Sequence, residues 1–186
     1  RTSPRTRGGL GIIPSRINGA GAIWRQRIPA AEFERRLSEI HRPYHAAIGE
    51  ALAAARARFG AAILLDCHSM PPRPREGGDT PMVVFGDRHG TTISPDLLDA
   101  AVTAAESLGY RTACNAPYAG GYIAARHGRP QRGIHALQIE LDRALYLDAD
   151  LRAPGPGFEG TCRLIAAVAE ALETRLLGAG EAMAAE

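Results

Sequence analysis

Residues 61–69 are Ala61-Ala62-Ile63-Leu64-Leu65-Asp66-Cys67-His68-Ser69, an apolar run that ends abruptly in polar side chains. A short, continuously apolar run is typical of a strand buried on both faces of a parallel or mixed sheet. The polar residues come at the predicted carboxyl end of that strand. Because ligands of open α/β sheets bind beyond the carboxyl ends of strands, the run predicts both a sheet and a binding site beside it.

Helical patterns flank this strand. Apolar spacing and terminal signals predict helices over 29–59, 95–108 and 158–176. Pro43 interrupts the first of them, since an interior proline removes a backbone hydrogen bond, and we expect a kink or two abutting helices there. Gly60 and Gly109 follow the first two helices, where a left-handed residue ends a helix.

Three more short strands are predicted over 82–85, 110–114 and 134–141. Helices alternating with strands indicate an α/β fold with a mixed, largely parallel sheet and helices on both faces. The length of 186 residues fits one domain, and residues 1–28 form a loop-rich N-terminal segment.

Composition excludes several classes of function. All 22 basic residues are arginine, so a lysine nucleophile, Schiff base or P-loop is impossible. The net charge of +2 is too small to favour nucleic acid as a partner, and the apolar runs are too short to span a membrane. With three cysteines a disulfide scaffold is excluded and the cytoplasm is expected. We interpret Cys67, Cys114 and Cys162 as small buried residues.

A second candidate site lies in the last predicted strand, where Glu140 interrupts an otherwise apolar pattern. A buried carboxylate is costly unless it is paired, coordinating or functional. Taken alone, His68 and Glu140 are each equally well explained as hydrogen-bonded polar groups of the core. Taken together, they suggest a metal bound by His68 and a general base at Glu140.

The other histidines are weaker candidates. His41 and His45 have the i, i+4 spacing of a zinc motif, but they lack its glutamate, which argues against metal binding. His89 either structures its loop or lines a site. His127 and His135 flank a turn and are expected to be surface or hydrogen-bonding residues.

Four blocks in order resemble the N-formylglutamate amidohydrolase family. They are Leu64-Leu65-Asp66-Cys67-His68-Ser69-Met70, Phe85-Gly86-Asp87-Arg88-His89-Gly90, Asn115-Ala116-Pro117-Tyr118-Ala119-Gly120-Gly121-Tyr122-Ile123 and Ala136-Leu137-Gln138-Ile139-Glu140-Leu141-Asp142-Arg143-Ala144-Leu145-Tyr146. Arg42-Pro43-Tyr44-His45 matches a further family segment, and the similarity extends over the chain from Gly8.

The resemblance implies a fold like that of the zinc carboxypeptidases, a phosphorylase/hydrolase-like architecture. It implies a zinc-dependent hydrolase that splits N-formyl-L-glutamate into formate and L-glutamate in histidine degradation. His68 would then bind zinc and Glu140 would be the catalytic glutamate. The family's upstream Pro-His-Ser-Gly block and acidic segment are not found, so we expect an N-terminally incomplete family pattern with the other metal ligands upstream of Arg1.

The implied substrate carries two carboxylates, which guanidinium groups bind bidentately. Arg126 and Arg143 are therefore candidate substrate-binding residues, with a surface ion pair as the alternative for each. The other candidates are two hydrogen-bonding residues, Asn115 and Tyr118, and two glycines that permit close backbone approach, Gly120 and Gly121.

Two further functions remain open. The fold could hydrolyse another N-acyl amino acid or a C-terminal peptide, or it could be a catalytically silent amino-acid-binding remnant without a complete metal site. In every case the expected partner is a small molecule rather than nucleic acid or a membrane, and the oligomeric state is open.

Overall fold

The computed structural model describes residues 13–17, 21–73 and 80–184, with side chains up to 178. The elements in chain order are β1 (Arg16–Ile17), β2 (Gly21–Ala22), α1 (Ala30–Arg36), a π-helical turn (Leu37–His41), α2 (Arg42–Phe59), β3 (Ala62–Met70), β4 (Val83–Gly86), α3 (Pro95–Ser107), β5 (Thr112–Cys114), α4 (Tyr122–His127), β6 (Ile134–Asp142) and α5 (Phe158–Ala184). None of the described helices has the length and apolar character needed to cross a membrane.

The chain divides into two compact units, Arg1–Ile48 and Gly49–Glu186. In the first unit the predicted interruption at Pro43 is confirmed in an unexpected form. The π-helical turn Leu37–His41 directly precedes α2, and the Arg42 N–H donates to the carbonyl of Leu37, five residues earlier. A π turn changes the hydrogen-bond register before Pro43, whose ring lacks an N–H for the regular α pattern.

The second unit contains a four-stranded sheet in the order β3-β6-β4-β5. β3 pairs with β6 in parallel and β4 pairs with β5 in parallel, whereas β4 and β6 are antiparallel. The mixed α/β class and the largely parallel sheet are therefore confirmed. Gly60 and Gly109 both have a φ of +83°, as the predicted helix ends require.

The two faces of this sheet differ in chemistry because strand side chains alternate between faces. Leu137, Ile139 and Leu141 of β6 belong to the buried apolar core. They share it with side chains of β4, α3 and α5, namely Val83, Phe85, Leu97, Ala101, Ala105, Leu164, Val168 and Leu172. The intervening residues of β6, Gln138 and Glu140, lie on the opposite face.

The structure differs from the sequence prediction in the extent of two segments. β3 does not end at Leu65 but continues to Met70, because its residues stay paired with β6 up to Asp142. His68 therefore lies within a strand rather than in a loop after it. The second segment follows β5, where no helix was predicted but Tyr122 begins the short helix α4.

The prediction that the three cysteines are buried is wrong. Cys67, Cys114 and Cys162 are free and exposed. Cys67 and Cys114 lie in β3 and β5, the outer strands of the described sheet, where a neighbouring strand covers one side only. Cys162 lies early in α5 between buried residues of that helix, on its outer side.

Candidate active site

His68 and Glu140 meet on the polar face of the sheet. They are direct partners in the parallel pairing of β3 with β6. Partners in adjacent strands point to the same face, and His68 Nδ1 lies 3.9 Å from Glu140 Oε1. The predicted convergence of the imidazole and the carboxylate, 72 positions apart in the chain, is thereby confirmed.

Asp66 adds a second carboxylate, which is not among the site residues predicted from the sequence. It precedes His68 by two residues, so both side chains lie on one face of β3. Asp66 Oδ1 lies 3.1 Å from His68 Nε2. Its other oxygen, Oδ2, is buried and finds no hydrogen-bond partner among the described residues. The alternation of a strand was the available signal, since Asp66 and His68 are two positions apart.

The Glu140 carboxylate is almost fully enclosed, with 6 % of the residue exposed. Gln138 Nε2 donates to Glu140 Oε1 over 2.8 Å. Burial raises the pKa of Glu140 above its ordinary value, while His68 and the hydrogen bond from Gln138 act in the opposite direction. A carboxylate whose pKa is shifted towards neutral pH is suited to accept and return a proton.

The predicted substrate-binding glycines lie above this face. Gly120 has a φ of +99°, a conformation that favours glycine, and it packs directly on the backbone of Gly86. The Gly121 N–H donates to Gln138 Oε1 over 2.6 Å. The glycines thus allow the loop backbone to lie directly on the sheet, whereas their contact with substrate stays a prediction.

Asn115 and Tyr118 hold different positions in that loop. The side chain of Asn115 donates to Asp87 Oδ1 over 2.7 Å, and its Oδ1 accepts the N–H groups of Asp87 and His89 at 3.2 Å. Asn115 therefore fixes the turn after β4 through two backbone N–H groups, and the role of the His89 side chain stays a prediction. Tyr118 is 37 % exposed. Binding of substrate by either residue stays a prediction.

The two predicted arginines are placed differently. Arg143 follows β6, and its Nε donates to Ser69 Oγ over 3.4 Å at the ends of the two paired strands. Its charge is one of those that lower the pKa of Glu140, so it belongs to the surroundings of the carboxylate. Arg126 is exposed on α4 and donates to the hydroxyl of Tyr122 over 2.9 Å.

Three of the other histidines have contacts of their own. The rings of His41 and His45 are 4.5 Å apart in an edge-on arrangement within the first unit. His135 is buried and accepts the Ser94 N–H at Nδ1 over 3.3 Å, as a hydrogen-bonding residue. Across 13–17, 21–73 and 80–184, no group of three or more His, Cys, Asp or Glu side chains is arranged to hold a metal ion.

Comparison with known proteins gives a consistent result. The family model described as N-formylglutamate amidohydrolase matches residues 1–147. N-formylglutamate deformylase of Pseudomonas aeruginosa is 34 % identical over 145 residues, covering 74 % of this chain and 54 % of that protein. The enzyme of the same name from Pseudomonas putida is 30 % identical over 143 residues with the same coverage. The chain thus spans about half the length of these curated relatives.

Solved structures similar to the chain include the following two. A crystal structure of N-formylglutamate amidohydrolase from Ralstonia eutropha JMP134 is 35 % identical with a TM-score of 0.75, covering 97 % of this chain and 64 % of that one. A gene product of Agrobacterium tumefaciens shares the fold at 19 % identity and a TM-score of 0.65, covering 87 % of this chain and 61 % of that one.

Proposed function

The chain belongs to the N-formylglutamate amidohydrolase family, and from this membership together with the His68–Glu140 pair we propose that it hydrolyses the amide bond of N-formyl-L-glutamate. The products are formate and L-glutamate, a reaction that we place in cytoplasmic histidine degradation. The single observation that carries the proposal is the position of the nearly buried Glu140 carboxylate 3.9 Å from His68 on a polar sheet face.

The chemistry of the donor set fits one ligand position of a zinc ion. His68 Nε2 faces Asp66, so Nδ1 is the ring nitrogen available to a metal, and an imidazole oriented by a carboxylate is a common zinc ligand. A second observation is the Asp66 carboxylate itself, whose Oδ2 is buried and finds no hydrogen-bond partner among the described residues. A catalytic zinc takes three protein ligands, so in this proposal the others lie outside the described residues. When bound, zinc would polarise the formyl carbonyl and favour deprotonation of water.

Glu140 is the residue of this chain that transfers the proton in the proposed reaction. It takes a proton from the attacking water and returns that proton to the amide nitrogen that leaves as the amine of glutamate. Gln138 donates to Oε1, the same oxygen that lies 3.9 Å from His68 Nδ1, so this hydrogen bond orients the carboxylate toward the proposed metal position. The raised pKa makes the protonated form accessible between these two steps.

The surroundings of Glu140 fit a dicarboxylate substrate. Arg143 brings a guanidinium group to the end of β6, where it can pair with a substrate carboxylate. The Gly120–Gly121 backbone borders the same face through the bond of Gly121 to Gln138, and the exposed Tyr118 belongs to the same loop. We assign these groups to substrate binding, with Arg143 as the main contact for a substrate carboxylate.

Formate release from N-formyl-L-glutamate tests the proposal, measured with zinc supplied and again after a chelator. We expect turnover that needs the metal and that greatly exceeds turnover of N-acetyl-L-glutamate and of a C-terminal peptide. Preference for either of those substrates would assign the fold to another hydrolase. No formate release with zinc bound would refute the deformylase function.

A catalytically silent binding domain is the second candidate, favoured by the lack of a metal-binding group of three side chains in the described ranges. Isothermal titration with L-glutamate distinguishes it. Binding of glutamate in the presence of chelator, without any hydrolysis, supports that function over the enzymatic one.

A further inference from the structure

Gln138 connects the substrate-side loop to the general base. We propose that Gln138 is a positioning residue that sets the orientation of the Glu140 carboxylate. Through Gln138, this orientation depends on the position of the Gly120–Gly121 backbone. The proposal rests on the proposed function, since it names a residue that acts through Glu140.

The hydrogen bonds fix which end of the Gln138 amide faces each partner. The Gly121 N–H is a donor only, so it requires the amide oxygen, and it contacts Oε1 over 2.6 Å. The NH2 group of Gln138 then faces Glu140 and donates to Glu140 Oε1 over 2.8 Å. Gln138 is 4 % exposed; its bond to Glu140 is buried, and its bond to Gly121 is partly buried. Flipping the amide would leave a buried donor facing the Gly121 N–H, which costs a hydrogen bond at each end.

The sheet register holds Gln138 in this position. Gln138 is paired with Asp66 on one side and with Gly86 on the other, so its backbone is fixed from both sides. A Cβ added at Gly86 would lie 2.8 Å from the carbonyl carbon of Ala119, because the loop rests on that glycine. The Gly120–Gly121 loop, the Gln138 amide and the Glu140 carboxylate are thus connected by one series of contacts on the polar face.

The same series of contacts leaves little room for a side chain at Gly121. A Cβ at Gly121 would lie 3.0 Å from Gln138 Oε1, closer than ordinary contact allows. Pressure on that oxygen moves the amide whose other end holds Glu140. A substrate that shifts the Gly120–Gly121 backbone would therefore move the Gln138 amide and, with it, the Glu140 carboxylate. The carboxylate would be aligned for catalysis only when the loop backbone lies against Gln138.

Two substitutions separate the two bonds. Gln138→Glu keeps an oxygen for the Gly121 N–H but replaces the donor towards Glu140 with a second acidic group. We expect kcat to fall about 10- to 100-fold with KM changed less than about threefold, as for a misplaced catalytic group. Gln138→Met removes both bonds, so kcat should fall and KM should rise together. Gln131→Met makes the same change at an exposed position and should leave both constants unaltered.

Gly121→Ala provides a second variant if Gln138→Met folds poorly. It should lower kcat in the native background and have little further effect in the Gln138→Met background, because the oxygen that it presses on is then missing. Additive effects of the two substitutions, or a kcat of Gln138→Glu within about twofold of the native value, would overturn the proposal.

Amide hydrogen exchange at Gly121, followed by NMR, separates this proposal from the deformylase function. Gln138→Met should speed that exchange at least about tenfold and Gln131→Met should not, since the Gly121 N–H loses its acceptor only in the first. If the native protein with zinc releases no formate, the deformylase function fails and the catalytic role of Gln138 fails with it. If formate is released but exchange at Gly121 is unchanged in Gln138→Met, the link between loop and base fails alone.

Discussion

Asp66 Oδ1 lies 3.1 Å from Nε2 of His68, and the other ring nitrogen of His68 is the one that faces Glu140. The two residues are neighbours on one face of β3, so the strand itself sets their spacing. A carboxylate in this position fixes the tautomer and the ring orientation of a histidine that binds metal.

Asp66→Asn is therefore expected to weaken zinc binding about 10- to 100-fold, since loss of such a partner has that effect in other zinc sites. Affinity is measured by competition with a chromophoric chelator. Asp99→Asn, at an exposed position of α3, is the matched control and should bind zinc as the native protein does. Equal affinities in both variants would show that Asp66 does not orient a metal ligand.

Glu140→Gln should reduce kcat about 100- to 10,000-fold, because the amide cannot accept the proton of the attacking water. The substitution is nearly isosteric, so zinc content and thermal unfolding should stay close to native. Glu159→Gln, at an exposed position in the first turn of α5, should retain full activity. Formate release that survives in Glu140→Gln would have to arise at another site.

Local signals in the sequence predicted most of the elements. The helix that begins at Pro95 is marked by Ser94 and Pro95, and its end is marked by Gly109, so its bounds required no knowledge of the rest of the chain. The strand over 134–141 and the closing helix from Phe158 were likewise predicted from their apolar patterns.

Features that depend on strand pairing were not predictable in the same way. The extension of β3 to Met70 comes from its partner β6, and polar residues alone give no sign of it. Gln138 and Asp66 lie two positions before Glu140 and His68, so strand alternation was the available signal for each, but only the register of β3 with β6 brings the two pairs together. α4 was missed because six residues after two glycines are too few for a visible periodicity.

Arg143 and Arg126, both predicted to bind substrate, should respond differently to substitution. Arg143→Gln is expected to raise KM about 10- to 100-fold, the effect of losing one charge-assisted contact, with kcat less affected. Arg126→Gln should change KM less than about threefold, because the Arg126 guanidinium is bound to Tyr122 on α4. Steady-state kinetics with N-formyl-L-glutamate decide the matter, and the reverse order of effects would exchange the two assignments.

Gly86→Ala and Gly49→Ala should change stability in opposite directions. At Gly86 the added Cβ meets the backbone of Ala119 and Gly120, so we expect destabilisation of about 1–3 kcal/mol. At Gly49, within α2, nothing lies within 4 Å of the added Cβ, so greater helix propensity should stabilise the protein by roughly 0.5–1 kcal/mol. Chemical denaturation measures both. Equal free energies of unfolding for the two variants would contradict the close approach of the loop to β4.

His135 should make stability depend on pH below neutrality. Burial lowers its pKa below the ordinary value, the charge of Asp96 acts in the opposite direction, and Nδ1 accepts the Ser94 N–H, which requires the unprotonated nitrogen. The unfolded chain therefore binds the proton more readily than the folded one, so this contribution is present above about pH 6.5 and is lost as the pH falls through the folded pKa. The slope reaches at most about 1.4 kcal/mol per pH unit.

In His135→Asn, the stability measured by denaturation between pH 8 and pH 5 should lack this part of the decline. His89→Asn, at an exposed position, should retain it. Identical pH profiles for His135→Asn and the native protein would mean that folding leaves the proton affinity of His135 unchanged.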